Sequence, residues 1–169
     1  MQFLLRLSRG IDALNQRVGY LCDYLILIVC FISAGNALMR YIFSYSSNGF
    51  LEIQWYLFGA VVLLGASYTL KRNEHVRVDV LYANLSERGR LMIDAVGLLC
   101  FMLPVMIFLI YLSLPVFLQS YASGERSANT GGLVLWPAKL LLPLGFFLLS
   151  LQGFSEFIKR CAALMGLIE

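Results

Sequence analysis

The chain has 169 residues, 60% of them hydrophobic and 14% charged, with a formal net charge of +3 and a mean hydropathy of +0.77. Soluble domains carry about 25% charged residues, so this composition excludes an ordinary soluble fold and points to a bilayer. The basic residues flank apolar runs rather than lining one face, which argues against nucleic acid and for anionic lipid headgroups as the counter-charge.

Taken in chain order, the first element is residues 3 to 17. Phe3, Leu4, Leu7, Ile11, Leu14 and Val18 fall on one helical face and Arg6, Arg9, Gln16 and Arg17 on the other, with Leu5 the exception. That pattern predicts an amphipathic helix lying in the membrane interface. A cleaved signal peptide would instead show a short apolar core and a small-residue cleavage site.

Four runs then satisfy the requirement of about 20 mostly apolar residues to cross about 30 Å of hydrocarbon. They are roughly residues 18 to 43, 51 to 70, 92 to 118 and 133 to 157. Backbone polar groups find no water in lipid, so each run is expected as a helix despite its Val, Ile and Phe content. The expected fold is an all-α integral membrane domain over residues 1–169, with four transmembrane helices plus the N-terminal interfacial helix. Pro104, Pro115, Pro137 and Pro143 are expected to kink or open spans three and four rather than end them. Cys22, Cys30, Cys100 and Cys161 form no CxxC pair and read as small hydrophobes.

Flanking charge sets an orientation. Arg6, Arg9 and Arg17, then Lys71, Arg72, Arg77, Arg88 and Arg90, then Lys159 and Arg160, account for ten of the thirteen basic residues. The other flanks hold Arg40, Arg126 and Lys139. The positive-inside rule then places both termini in the cytoplasm, as expected of a multi-pass protein of a bacterial inner membrane. Tyr20, Tyr24, Tyr41, Tyr45, Trp55, Tyr56, Tyr121 and Trp136 cluster toward the span ends, where rings with one polar tip suit the headgroup level.

The polar stretch KRNEHVRVDVLYANLSERGR, residues 71 to 90, joins spans two and three and holds the sole histidine. His75 reads either as a proton-sensitive switch or as a loop residue bonding a helix end. The alternation from His75 to Val80 resembles a strand, but a six-residue strand between two spans has no partner, so an extended or short helical segment pinned at the interface is expected. Ser86 is the expected N-cap of span three, with Glu87 in its first turn.

Chemistry is sparse. Asp23, Asp94 and Glu156 lie within a turn or two of one end of their spans, Arg40, Glu52 and Lys139 near the other, and the polar residues nearest mid-span are Ser33, Asn36 and Ser67. Ion-coupled carriers place acids, amides or broken helices at the midplane, which argues against solute movement by this chain alone. Glu52 could form an ion pair with Arg40 or Lys139 at the outer surface, against the simpler reading of snorkelling charges. One histidine excludes bis-His haem ligation, no His, Cys or carboxylate cluster has metal spacing, and Gly131 and Gly132 lack the P-loop lysine. No enzyme activity and no cofactor are expected.

Three stretches carry a family resemblance: Glu52, Trp55 and Tyr56 opening span two in LEIQWYLFGAVVLLGASYTLKRNEHVRVDVL, the HVRVDVL run within it, and TGGLVLWPAKLLLPLGFFLLSLQG across span four. In order and spacing they resemble the DctQ-like small membrane subunit of tripartite ATP-independent periplasmic (TRAP) transporters. The resemblance implies a soluble periplasmic receptor that delivers an organic acid, and a large multi-span subunit that holds solute and sodium sites and moves in an elevator fashion. The small subunit is implied to be its non-catalytic scaffold. On this reading Glu52, Trp55, Trp136 and Lys139 lie near the partner or docked receptor, and His75, Arg77 and Asp79 fix the cytoplasmic segment. Arg6, Arg9, Arg17, Lys71 and Arg72 are expected to meet lipid headgroups. The competing reading is a self-sufficient oligomeric transporter or channel whose pore is lined by Ser and Asn.

Overall fold

The structure is a computed structural model that describes residues 2–45, 47–74 and 85–167. Four long helices organise it: α1 (Gln2–Phe43), α2 (Asn48–Lys71), α3 (Glu87–Ser123) and α4 (Trp136–Leu164), each long and apolar enough to cross a membrane. Among the described residues the only β feature is an isolated bridge between Arg126 and Val134.

Three of the expected spans lie within these helices and the fourth begins three residues before α4, at residue 133 rather than Trp136; a larger difference lies at the N-terminus. α1 runs unbroken for 42 residues, about 60 Å, so the boundary expected between residues 17 and 18 is absent. No proline lies between Gln2 and Phe43, and Gly10 and Gly19 are accommodated inside the helix. The amphipathic pattern of residues 3 to 17 is present, but the side that packs inward lies between its two faces: Ser8, Ile11 and Asn15 are buried, while Phe3, Leu7 and Leu14 on one flank and Arg6, Arg9 and Arg17 on the other are exposed.

Helix ends follow local chemistry. α2 stops where Asn73 adopts a left-handed conformation, φ +58°, which asparagine tolerates better than most residues. Ser86 caps α3 by accepting from the Gly89 N–H, as its position before Glu87 predicts. Gly124, at φ +59°, ends that helix in the left-handed region.

Within α3, residues Gly97–Met102 form a π-helical stretch immediately before Pro104. The Leu103 N–H bonds the Leu98 carbonyl five residues back. The wider turn relieves the clash that a proline ring makes with the carbonyl four residues before it, here that of Cys100. Pro115 and Pro143 sit inside continuous helices, whereas Pro137 occupies the first turn of α4, where its missing N–H costs nothing.

α4 is the hub. It packs against α1, α2 and α3, and α1 packs against α2, whereas α3 meets essentially α4 alone among the described residues. Helix approach depends on glycine at two points. A Cβ at Gly145 would lie 2.8 Å from the Leu63 carbonyl oxygen, and one at Gly19 would lie 2.5 Å from the Tyr68 ring. The apolar core is small, with Cys22, Ala60, Leu64 and Leu148 at its centre. The largest fully buried side chains are polar instead: Gln152, Asn15, Ser8, Ser67, Ser120 and Ser155. Apolar side chains gain little by leaving lipid, so packing, small residues and interhelical hydrogen bonds hold the bundle.

Candidate functional site

Two polar clusters occupy opposite ends of the bundle. The first lies at the end rich in basic residues, where α1, α2 and α4 meet. Asn15 and Gln152 are both fully buried, and the Asn15 amide donates to Gln152 Oε1 at 2.7 Å. Gln152 Nε2 in turn donates to Asp12 Oδ1 at 2.8 Å and to Glu156 Oε1 at 3.0 Å. Ser155 donates to Asp12 Oδ1 at 2.9 Å and shares a 2.7 Å hydroxyl contact with Ser8. Lys159 bridges Asp12 and Glu156.

α2 joins through Lys71, whose ammonium donates to the Asp12 carbonyl at 3.0 Å and to Gln16 Oε1 at 2.7 Å. Two carboxylates thus share one ammonium, that of Lys159, and each has amide or hydroxyl donors besides, while the Lys71 ammonium bonds a main-chain carbonyl and an amide oxygen. Such a network is strong in a low dielectric only when its members are satisfied, and here it ties three helices together. A further ion pair, Arg160 with Asp94 at 3.4 Å, ties α3 to α4 at the same end.

The second cluster is at the opposite end and is organised by Glu52 on α2. Only 7% exposed, it accepts from the Ser127 hydroxyl, from Asn129 Nδ2 at 2.8 Å and from the Leu133 N–H at 2.7 Å. The connection between α3 and α4 is therefore folded onto the start of α2. Asn48 adds a bond to the Thr130 carbonyl at 3.2 Å, and the Ser127 N–H donates to the Leu133 carbonyl at 2.9 Å. Lys139 pairs with Glu125, whose carboxyl is held below the usual range by that ammonium. Trp136 packs edge-on against Tyr121 with ring centres 5.5 Å apart.

The structure sorts the residues singled out above. Glu52 does not pair with Arg40 or Lys139; hydroxyl, amide and backbone donors claim its carboxylate, and Glu125 claims the lysine. Glu52, Lys139 and Trp136 come together on the folded connection, while Trp55 stands apart at 77% exposed. Arg6, Arg9, Arg17 and Arg72 are exposed, with Arg72 paired to Glu74 and lying over the Tyr68 ring, whereas Lys71 is drawn into the helix packing. His75, Arg77 and Asp79 lie outside the described residues. All four cysteines are free.

Sequence reasoning missed the first cluster. Its signal was available: Ser8, Asp12 and Asn15 recur at spacings of four and three, and Gln152, Ser155, Glu156 and Lys159 fall at i, i+3, i+4 and i+7 on an otherwise apolar helix. Two polar stripes inside hydrophobic helices are expected to find each other.

Comparison with known proteins gives a family for the chain. Residues 25–163 match the family described as tripartite ATP-independent periplasmic transporters, DctQ component. The C4-dicarboxylate TRAP transporter small permease protein DctQ of Vibrio cholerae serotype O1 is 34% identical over 93 residues, covering 50% of this chain and 40% of that relative's length. No solved structure matches.

Proposed function

The chain belongs to the DctQ family of tripartite ATP-independent periplasmic (TRAP) transporters, and on that premise we propose that it is the small permease subunit acting as a fixed, non-catalytic scaffold. Its partner is a large multi-span subunit that carries the sodium-coupled elevator step, taking up organic acids delivered by a periplasmic receptor. The observation that carries this reading is the locking of the bundle at both ends. At one end Asp12, Asn15, Lys71, Gln152 and Lys159 clamp α1, α2 and α4; at the other, Glu52 clasps the connection between α3 and α4. Helices tied in this way move as one body, which suits a stationary support.

The distribution of Lys and Arg supports an inner-membrane protein with both termini cytoplasmic. Arg6, Arg9, Arg17 and Arg72 then face anionic headgroups, at about 1 kcal/mol per basic residue near the surface, and resist displacement through the bilayer. The folded connection around Glu52, Trp136 and Lys139 faces the periplasm and offers a shaped surface to receptor or partner, and the exposed Trp55 on α2 offers a separate contact.

Affinity purification in mild detergent tests the reading. A larger multi-span protein is expected to copurify at a fixed ratio, and liposomes holding this chain alone are expected not to accumulate organic acids. Recovery of homo-oligomers only, or uptake without a second polypeptide, would overturn it.

A further inference from the structure

Asp23 sits differently from the other carboxylates of the spans. Asp12, Glu52, Asp94 and Glu156 each meet a donor or a cation. Asp23 is exposed on α1 and has no hydrogen-bond or ion-pair partner among the described residues. It lies seven residues beyond Gln16, where the Lys71 ammonium is bound, which places it about 10 Å further along the helix. Beside it on α1, Tyr20, Tyr24 and Leu27 are more than half exposed and Ile26 nearly so. On so short a side chain the carboxylate stays close to the helix surface, and a helix packed there would cover it at a cost unless it met an opposite charge.

The surface beside Asp23 is shaped for close approach. α1 and α2 form a shallow groove there, with Gly65 and Ala66 along it and Val62 on its wall. Small residues let a third helix come near the backbone, and an exposed charge that such a helix covers selects its opposite.

We propose that a transmembrane helix of the large partner subunit lies in this groove and presents a lysine or arginine to Asp23. The inference rests on the reading of this chain as one subunit of a two-part permease and names the face that meets the other part. Charge complementarity decides between occupants: lipid acyl chains leave the carboxylate unpaired, and Arg72, the nearby cation on α2, is committed to Glu74 and the Tyr68 ring.

Asp23→Leu gives opposite signs for the two situations. If the face meets lipid, removing the charge leaves the complex intact. If it meets a basic helix, recovery of the large subunit at a fixed amount of this chain falls roughly tenfold, while the isolated chain melts at an unchanged or higher temperature. Asp23→Glu is expected to keep most of the recovery. A photo-crosslinking residue at Val62 is expected to capture a peptide of the large subunit that holds a lysine or arginine, and Asp23→Lys is expected to be rescued by an acidic residue at that partner position.

Unaltered recovery with Asp23→Leu overturns the proposal. So does capture of lipid only, of a second copy, or of residues 75–84 of the same chain. If the wild-type chain recovers no larger protein, the two-part reading itself falls; if it does recover one and Asp23→Leu changes nothing, only the assignment of this face falls.

Discussion

Gln152 uses both ends of its amide, accepting from Asn15 and donating to Asp12 and Glu156, and it does so fully buried. Gln152→Leu removes the acceptor of one amide and a donor to two carboxylates, so it is expected to destabilise the bundle by about 1–2 kcal/mol, the upper range for interhelical hydrogen bonds in membranes. Adding Asn15→Leu removes the group that the first change orphaned. The double variant should therefore lose less than the sum of the two single ones, and additive losses in detergent unfolding would show that the amides act independently. Glu52 works through three donors from one connection. Glu52→Ala is expected to speed proteolysis between Gly124 and Leu135 by about tenfold or more, since a bond to a charged acceptor is worth about 1.5–3 kcal/mol. Glu52→Gln, which keeps one carbonyl oxygen, should fall between. The pairing of Glu125 with Lys139 gives a pH signature of known sign. A carboxyl held below its ordinary value contributes in full above the unfolded pKa, about 4.3, and loses that contribution as pH falls through the folded value. The proteolytic difference between wild type and Lys139→Met should thus be constant from pH 7 to about 5 and shrink below about 4.

Helix contacts were legible to different degrees. The four spans could be read directly because lipid leaves a long apolar run no alternative to helix, and Ser86 announced its helix because a cap needs only local chemistry. The course of α1 could not be read in the same way. Periodicity reported a polar and an apolar face over residues 3 to 17, but the side turned inward lies between them, at Ser8, Ile11 and Asn15. That was decided by Gln152, Ser155 and Lys159, more than 130 positions away, which supply partners for Ser8, Asp12 and Asn15. The Glu52 clasp was hidden for a related reason: its donors are a hydroxyl, an amide and a main-chain N–H, none of which a search for opposite charges would find. Glycine spacing gives a sharper test at this scale. Gly145→Val drives a side chain into the Leu63 backbone and is expected to cost about 1–3 kcal/mol by forcing α2 and α4 apart. Gly10, equally helical, has nothing within 4 Å of a new Cβ, so Gly10→Ala should be neutral or stabilise by up to about 1 kcal/mol. Equal losses at the two sites in detergent unfolding would deny the close contact its role.

At the scale of the whole molecule, the arrangement is a three-helix unit of α1, α2 and α4 with α3 attached along α4. Much of α3 remains uncovered, with Phe101, Ile107, Phe108 and Tyr111 at least 58% exposed, so the chain presents a broad apolar perimeter around a narrow, polar interior. That division fits a part whose inside holds its own shape and whose outside is left for lipid and a larger partner. It also makes immobility testable. The hydroxyls of Ser8 and Ser155 lie 2.7 Å apart and join the start of α1 to the later half of α4. Sulfur atoms placed there are within bonding reach, the disulfide S–S distance being about 2.05 Å. In a background with Cys22, Cys30, Cys100 and Cys161 replaced, Ser8→Cys with Ser155→Cys is expected to form a disulfide on mild oxidation. If the chain is a fixed support, the oxidised protein, assembled with its large subunit in liposomes and supplied with loaded receptor, takes up solute at the same rate as the reduced one. A rate that collapses on oxidation and returns on reduction would mean that α1 and α4 must separate during each cycle, and the support would then be a moving part.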